Sequence, residues 1–214
     1  MNKSYRFEVK KKRPEEIYNS VRDYFKGQFL VNYAKSKSLM RIQEKITIRT
    51  LEILDLEQKK MLILDAGCGP GFASVYLKEL GYNVVALDII SKFLYVYDIK
   101  ELNPLAADMC FLPFQPNIFD AIISISALQW IYRNRNNENM KLNLISLSKH
   151  IEKVLKPKAK AVFQFYPKNN SIMEEIGKIF THYTNLKGNF IIDNPDNAKK
   201  RKIFLLLVKN DENK

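Results

Sequence analysis

The segment Asp65-Ala66-Gly67-Cys68-Gly69-Pro70-Gly71 places glycines at alternate positions directly after the apolar run Met61-Leu62-Ile63-Leu64. Glycines in that position permit a tight turn, let backbone approach a ligand closely and expose helix N-terminal N–H groups to it. The spacing is D-x-G-x-G-x-G and not the G-x-G-x-x-G of dinucleotide enzymes. Seventeen positions after Gly71, Asp88 ends a second apolar run, Val84-Val85-Ala86-Leu87, and is followed by Ile89. A carboxylate there can accept both hydroxyls of a ribose. A third run, Pro104 to Ala107, ends in Asp108-Met109, whose carboxylate can take an exocyclic adenine amine. Any one of these aspartates, taken singly, is equally a helix cap or turn residue. Together they make three strand ends that converge on one adenosine. NAD enzymes are the formal competitor, and they lack both this glycine spacing and a third acidic strand end.

The elements that must position these groups alternate. Helices are predicted over Glu15 to Lys26 and Ser38 to Leu56, the second with Leu39, Ile42, Ile46, Thr50 and Ile53 or Leu54 on one stripe. After the strand at Met61 to Leu64 come the helix Ala73 to Leu80, closed by Gly81, and the strand ending at Asp88. A short helix at Lys92 to Tyr97 and a brief strand at Pro104 to Ala107 follow. Then come the strand Phe119 to Ile125, the helix Met140 to Leu155 stopped by Pro157, and the strand Ala159 to Phe165. Asn189 to Asp193 and Lys202 to Val208 resemble two more strands joined by the polar turn Asn194 to Arg201. Short continuous apolar strands alternating with helices imply a doubly wound α/β fold with a mostly parallel sheet. We expect residues 1–56 to form a basic arm and helices packed on a core of residues 57–214, within one structural domain.

The 214 residues are enough to bury a single core. Their longest apolar runs, such as Ile203 to Val208, fall far short of the roughly 20 residues that cross a bilayer. The polar, lysine-rich Met1 to Arg13 has no apolar h-region, so no secretion signal is expected. Two cysteines, Cys68 and Cys110, are too few for a disulfide framework or a zinc site. An intracellular, cytoplasmic protein is expected, or a nuclear one if the source is eukaryotic. The net charge of +12 is unevenly spread: residues 1–49 carry 13 basic and 5 acidic side chains, residues 62–130 carry 3 and 7. Solvated lysines on helix faces account for this, and so does a phosphate-binding rim around a ligand pocket.

The glycine loop, Asp88 and Asp108-Met109 resemble class I S-adenosylmethionine-dependent methyltransferases, whose Rossmann-like fold has a seven-stranded sheet with helices on both faces. The resemblance implies a cofactor site from about Leu62 to Trp130, with Asp65, Gly67, Cys68, Gly69 and Gly71 as its loop. It further implies Asp88 and Ile89 at the ribose, Asp108 and Met109 at the adenine, and Ser124, near the end of the fourth strand, beside the methionine part. A narrower likeness rests on Arg13-Pro14-Glu15-Glu16-Ile17-Tyr18, Tyr33, Ile42 to Leu54, Ser124-Ile125-Ser126-Ala127-Leu128-Gln129-Trp130, Gln164-Phe165-Tyr166-Pro167-Lys168-Asn169 and Asp193-Asn194-Pro195-Asp196 with Lys199-Lys200-Arg201-Lys202. These segments resemble the small-subunit rRNA guanine-N7 methyltransferase family of ribosome assembly, over roughly residues 13–208. Departures are a short segment between Asp88 and Asp108, Ser38 where the family often has arginine, and no long basic extension after Val208.

Such a reaction suits the residue inventory. Guanine N7 attacks with an in-plane lone pair and loses no proton, so no general base is required. His150 and His182, the only histidines, lie on helices outside the motifs. For the substrate we expect an aromatic wall from Trp130, Phe165 and Tyr166, with Gln129 at the base edge; for Trp130 and Phe165, core packing is the competing role. RNA contacts are expected from Lys10 to Arg13, Lys35, Lys37, Arg41, Lys168, Lys199, Lys200, Arg201 and Lys202. Small-molecule methyltransferases usually carry a lid, whereas these flanking arms look basic and open. A ribosome-assembly binding factor with secondary activity, and a small-molecule or tRNA methyltransferase, are the alternatives. The resemblance also implies a small zinc-binding activator protein, paired to the edge strand Leu102 to Ala107 beside Phe93 to Tyr97. Internal packing of those aromatics, with Pro104 blunting the edge, is the competing arrangement.

Overall fold

The computed structural model describes residues 6–56, 60–95 and 102–211. The seven strands are β1 (Leu62–Ala66), β2 (Asn83–Asp88), β3 (Leu105–Ala106), β4 (Phe119–Ile125), β5 (Leu155–Phe165), β6 (Leu186–Asp193) and β7 (Lys202–Lys209). They form one sheet in the order β3-β2-β1-β4-β5-β7-β6, in which β1 to β5 pair in parallel and β7 runs antiparallel to both β5 and β6. The chain order reverses at β1 and β4, so the connections that leave these paired strands run to opposite sides and open a crevice at their carboxyl ends.

Side-chain alternation divides the core in two. On one face Leu64, Ile122, Phe163, Phe165 and Leu205 pack under α7 (Glu138–Val154) and α8 (Asn170–His182) through Leu144, Leu147, Ile151, Ile176 and Phe180. On the other, Ile63, Ala86, Ile123, Val162 and Phe204 meet α4 (Lys37–Leu54) and α5 (Phe72–Glu79) through Ile46, Leu54, Ala73 and Leu77. Arg49 on α4 holds Asp193 on β6 with two hydrogen bonds of 2.9 and 3.1 Å, tying that helix to the far edge.

The N-terminal region departs from the expected single helix over Glu15 to Lys26. It forms two single turns, α1 (Pro14–Ile17) and α2 (Val21–Tyr24), then α3 (Gly27–Ala34). Tyr18, in extended conformation, ends the first, and Ser20 starts the second: its hydroxyl accepts from the Asp23 N–H, the usual work of an N-cap. Gly27, at φ +55°, turns the chain again at the start of α3. The predicted helix at Lys92 to Tyr97 is a 3₁₀ turn over Ser91–Tyr95, and residues 96 and 97 lie outside the described ones.

The β4–β5 junction also differs in detail. Phe119 pairs with Leu155 and Ala121 with Lys160, so Asp120 alone faces four residues of β5 around Pro157 and Lys158. Pro157 has no N–H to give the ladder, and Lys158 takes φ +65°. Asp120 closes the gap by accepting from the Leu62 N–H at 2.8 Å and pairing with Lys156 at 2.6 Å.

Candidate active site

A cavity of about 350 Å³ opens at the carboxyl ends of β1, β2 and β4, within the size range of small-ligand sites. Its wall includes Asp65, Gly67, Cys68, Gly69, Asp88, Ile89, Asp108, Met109 and Trp130, all singled out above. The loop after β1 is shaped by three left-handed glycines, Gly67, Gly69 and Gly71 at φ +80°, +55° and +86°. Gly67 and Cys68 donate N–H bonds to the Leu87 carbonyl at 2.8 and 3.0 Å, which fixes the loop to the end of β2. Gly71 is not in the cavity wall; it is the N-cap of α5 and donates to the Cys68 carbonyl.

Asp88 is 7 % exposed, and its two oxygens accept one N–H each, from Gly69 and Ile90, both at 2.7 Å. Burial pushes its pKa up, and those two N–H groups oppose the shift. A carboxylate offers about four lone-pair sites, so two directions stay open for a vicinal diol. Asp108 caps the 3₁₀ turn Met109–Phe111 by accepting from the Cys110 N–H at 2.8 Å, so the cap role and a place in the cavity wall hold together. Beside Gly69 no atom stands within 4 Å of where a Cβ would be, leaving room against the backbone. A buried carboxylate with two open directions, a second carboxylate one strand further out and a glycine loop with open space beside Gly69 fit S-adenosylmethionine.

Asp65 is buried and accepts from the Ser74 hydroxyl at 2.5 Å. Burial pushes its pKa from 3.8 to about 7, with the Asp88 charge adding to the rise and Ser74 opposing it. A carboxyl raised on folding stabilises fully below its unfolded pKa and loses that contribution as pH rises through the folded one. The stability of the ligand-free protein relative to Asp65→Asn is therefore expected to fall between pH 4 and 7. Chemical denaturation at several pH values checks this, and a difference between the two proteins that stays constant over that window contradicts it. Burial also pushes the Cys68 and Cys110 thiols up, leaving both unreactive.

Several expected positions are corrected. Ser124 is buried but does not line the cavity; Ile125 and Ser126 do. Ser126 takes φ +59°, held by its N–H and hydroxyl on the Gln164 carbonyl and side-chain oxygen, both at 2.9 Å. Gln129 turns inward, donates to the Ser126 carbonyl at 2.7 Å and is not part of this cavity's wall. Phe165 is fully buried in the core, 6.5 Å from Phe190. The Tyr166 ring lies outside the cavity between two cations, Arg13 at 5.8 Å and Lys202 at 5.4 Å.

Among the basic groups, Lys168 pairs with Glu16, and Arg13 donates to the Tyr166 and Pro167 carbonyls. Arg201 stacks on Phe7 at 4.7 Å and donates to the Pro195 carbonyl. Lys10, Lys11, Lys12, Lys35, Lys37, Arg41, Lys199 and Lys200 are exposed. Nor is the N-terminal arm open: Asn19, Ser20, Val21, Phe25 and Tyr33 form one wall of the cavity, joined by Gln43 and Arg133. Phe25 packs edge-on to Tyr33 at 4.8 Å and to Phe93 at 5.1 Å, and Tyr24 lies 5.5 Å from Trp130. The run of aromatics Tyr24, Phe25, Phe29 and Tyr33 was a signal for this aromatic face that the basic residues around it obscured.

Residues 64–163 match the family model described as a methyltransferase domain. The 18S rRNA (guanine-N7)-methyltransferase of Bos taurus is 32% identical over 91% of this chain and 68% of its own length. The corresponding enzyme of Schizosaccharomyces pombe is 30% identical over 91% of this chain and 71% of its own. The chain thus spans about two thirds of the length of these curated relatives. Magnesium protoporphyrin IX methyltransferase from Synechocystis, solved with bound S-adenosylmethionine, superposes with a TM-score of 0.63 at 16% identity, covering 94% of this chain and 100% of that one. That likeness carries the fold, and the sequence matches carry the family. With its glycine loop and paired aspartates at the cavity, this chain is a class I S-adenosylmethionine-dependent methyltransferase and belongs to the 18S rRNA (guanine-N7)-methyltransferase family.

Proposed function

We propose that this chain methylates N7 of a guanine in small-subunit ribosomal RNA during ribosome assembly. The observation that carries the reading is a cofactor cavity without histidine in its described wall, next to an aromatic face, in a chain of this family. When bound, S-adenosylmethionine supplies an electrophilic methyl group at the crevice beside β4. The chain's own work is to hold and orient. Asp88 and Asp108 fix the adenosine end, and the Gly67–Gly71 loop sets its depth. Ser126 and Ala127 line the opening at the end of β4. N7 carries its lone pair in the ring plane and releases no proton, so alignment of nitrogen, methyl and sulfur is the main requirement. The ring becomes positive as the methyl arrives, and Trp130, backed by Tyr24, is placed to stabilise it by roughly 0.5–2 kcal/mol.

The exposed Lys10 to Lys12, Lys35, Lys37, Arg41, Lys199 and Lys200 supply phosphate contacts. A small zinc-binding activator pairs with the outer edge of β3. That strand is the sheet's last, pairs with β2 over only two residues, and touches the 3₁₀ turn that ends at Tyr95, which is 84% exposed. Phe93, Leu94 and Leu102 are buried, so the activator would meet Tyr95 and the strand backbone and not those side chains. Among the described residues no helix is long and apolar enough to cross a membrane, and the site of action is the cytoplasm or nucleus, where ribosomal subunits are assembled.

The wall formed by Asn19, Ser20, Val21 and Phe25 is the one observation that favours a small-molecule substrate. A direct assay separates the readings: the protein, co-expressed with the activator, is given small-subunit rRNA, tRNA and free guanosine, and 7-methylguanosine is measured. Transfer to the rRNA is expected, with affinity falling steeply as salt rises and weakened by charge reversal at Lys199 and Lys200. Transfer to tRNA or the free nucleoside alone, or a flat salt dependence, contradicts the proposal.

A further inference from the structure

The described wall of the cavity carries three carboxyl groups, Asp65, Asp88 and Asp108, and one cation, Arg133. Arg133 follows α6 (Leu128–Ile131), the short helix after β4. It also lines the small neighbouring cavity that holds Glu15, Glu16 and Tyr166. Its guanidinium donates to the Trp130 carbonyl at 2.9 Å and to the Asn19 carbonyl at 3.4 Å. A guanidinium has five N–H donors, so those two bonds leave three. Among the described residues no carboxylate forms an ion pair with it. Burial lowers its pKa, and the charges of Glu15 and Glu16 oppose that shift.

The cofactor brings one anionic group into this wall, its amino-acid carboxylate. With the adenosine at the ends of β3 and β2, the strand order places the methionine part across β1 and β4, towards α6. A carboxylate entering a partly desolvated space lined by three other carboxyl groups needs a cation or it is strongly disfavoured. RNA phosphates are not subject to that constraint, because the exposed lysines outside the cavity are open to them. We propose that Arg133 binds the methionine carboxylate of S-adenosylmethionine, and through its bond to the Asn19 carbonyl couples the occupied site to the N-terminal wall. The inference rests on the cofactor assignment above and is independent of which nucleic acid is methylated.

Two ligands separate this role from a structural one. S-Adenosylhomocysteine has the carboxylate, and 5′-methylthioadenosine keeps the adenosine and sulfur without it. By calorimetry, Arg133→Met is expected to weaken S-adenosylhomocysteine about 10- to 100-fold, with methylthioadenosine changed less than about twofold and Arg133→Lys recovering part of the loss. Equal losses for both ligands assign Arg133 to holding the wall alone and overturn the proposal, as does an unchanged affinity for S-adenosylhomocysteine. Circular dichroism of both variants keeps a folding defect from passing as a binding effect: if Arg133→Met does not fold, the Lys variant decides by the same ratio of ligand losses. Wild-type protein that binds neither ligand overturns the cofactor assignment, and this proposal with it.

Discussion

Alanine at Asp88 is expected to cost S-adenosylmethionine binding about 1.5 to 3 kcal/mol for each charge-assisted hydrogen bond lost, or roughly 10- to 150-fold per bond in Kd. Two contributions act in the same direction. The open lone pairs that would receive the ribose diol disappear, and the Gly69 and Ile90 N–H groups lose the acceptor that holds the loop in place. Asp88→Asn should do less harm, since the amide oxygen can replace one acceptor. Asp108→Ala should also do less, because Asp108 meets a single amine in place of a diol and holds one backbone N–H, that of Cys110, against two at Asp88. Calorimetry on the three variants checks the order; unchanged binding in Asp88→Ala contradicts the assignment of the ribose site.

Gly67→Ala should be the most damaging single-methyl change in the chain. A Cβ at Gly67 would lie 2.6 Å from the Ala127 Cβ, and φ there is +80°. Neither side can yield easily, because Gly67 is bonded to the Leu87 carbonyl and Ala127 is the N-cap of α6. Backbone strain of about 1–3 kcal/mol and overpacking of about 1–3 kcal/mol predict a loss of roughly 2–6 kcal/mol in unfolding free energy. The double variant Gly67→Ala/Ala127→Gly removes the clash and keeps the strain, so it should recover about half. Denaturant titration measures both, and a loss below about 1 kcal/mol for the single variant would contradict this account of the loop.

Much of the fold is legible where local pattern and tertiary demand coincide. The strands Leu62–Ala66, Asn83–Asp88 and Phe119–Ile125 carry the uninterrupted apolar stretches 62–64, 84–87 and 121–123 because both faces of a parallel strand are covered. The glycine loop is legible for a similar reason, since no other residue tolerates those angles cheaply. The N-terminal helices were not, because Ser20 looks like an ordinary helix residue until its hydroxyl is seen to cap α2. The α4 stripe was found, but its C-terminus at Leu54, with Asp55 left-handed, falls two residues before the expected Leu56.

At the site, the residues misplaced by sequence reasoning are those whose direction depends on parity or on a turn. Phe165 shares the face of Ala161 and Phe163, which is the α7–α8 side, so its ring goes to the core. Ser124 and Ser126 differ in that Ser126 has left the strand and turned left-handed into the cavity. The motif Ser124 to Trp130 is thus informative as a unit, while the roles of its members come from Gln164 holding Ser126 and from α6 turning Gln129 inward. Charge had its own ambiguity: of the basic residues expected at RNA, Arg13, Lys168, Arg201 and Lys202 are engaged by the chain itself. Only a structure distinguishes those from the exposed Lys199 and Lys200.

The most direct measurement is mass spectrometry of small-subunit rRNA nucleosides from cells lacking this protein, complemented with the wild-type chain or with Asp88→Ala. Loss of one 7-methylguanosine, restored by the wild-type chain and not by the Asp88 variant at equal expression, is the predicted result. A full complement of 7-methylguanosine in the rRNA of the deletion strain would contradict the central claim.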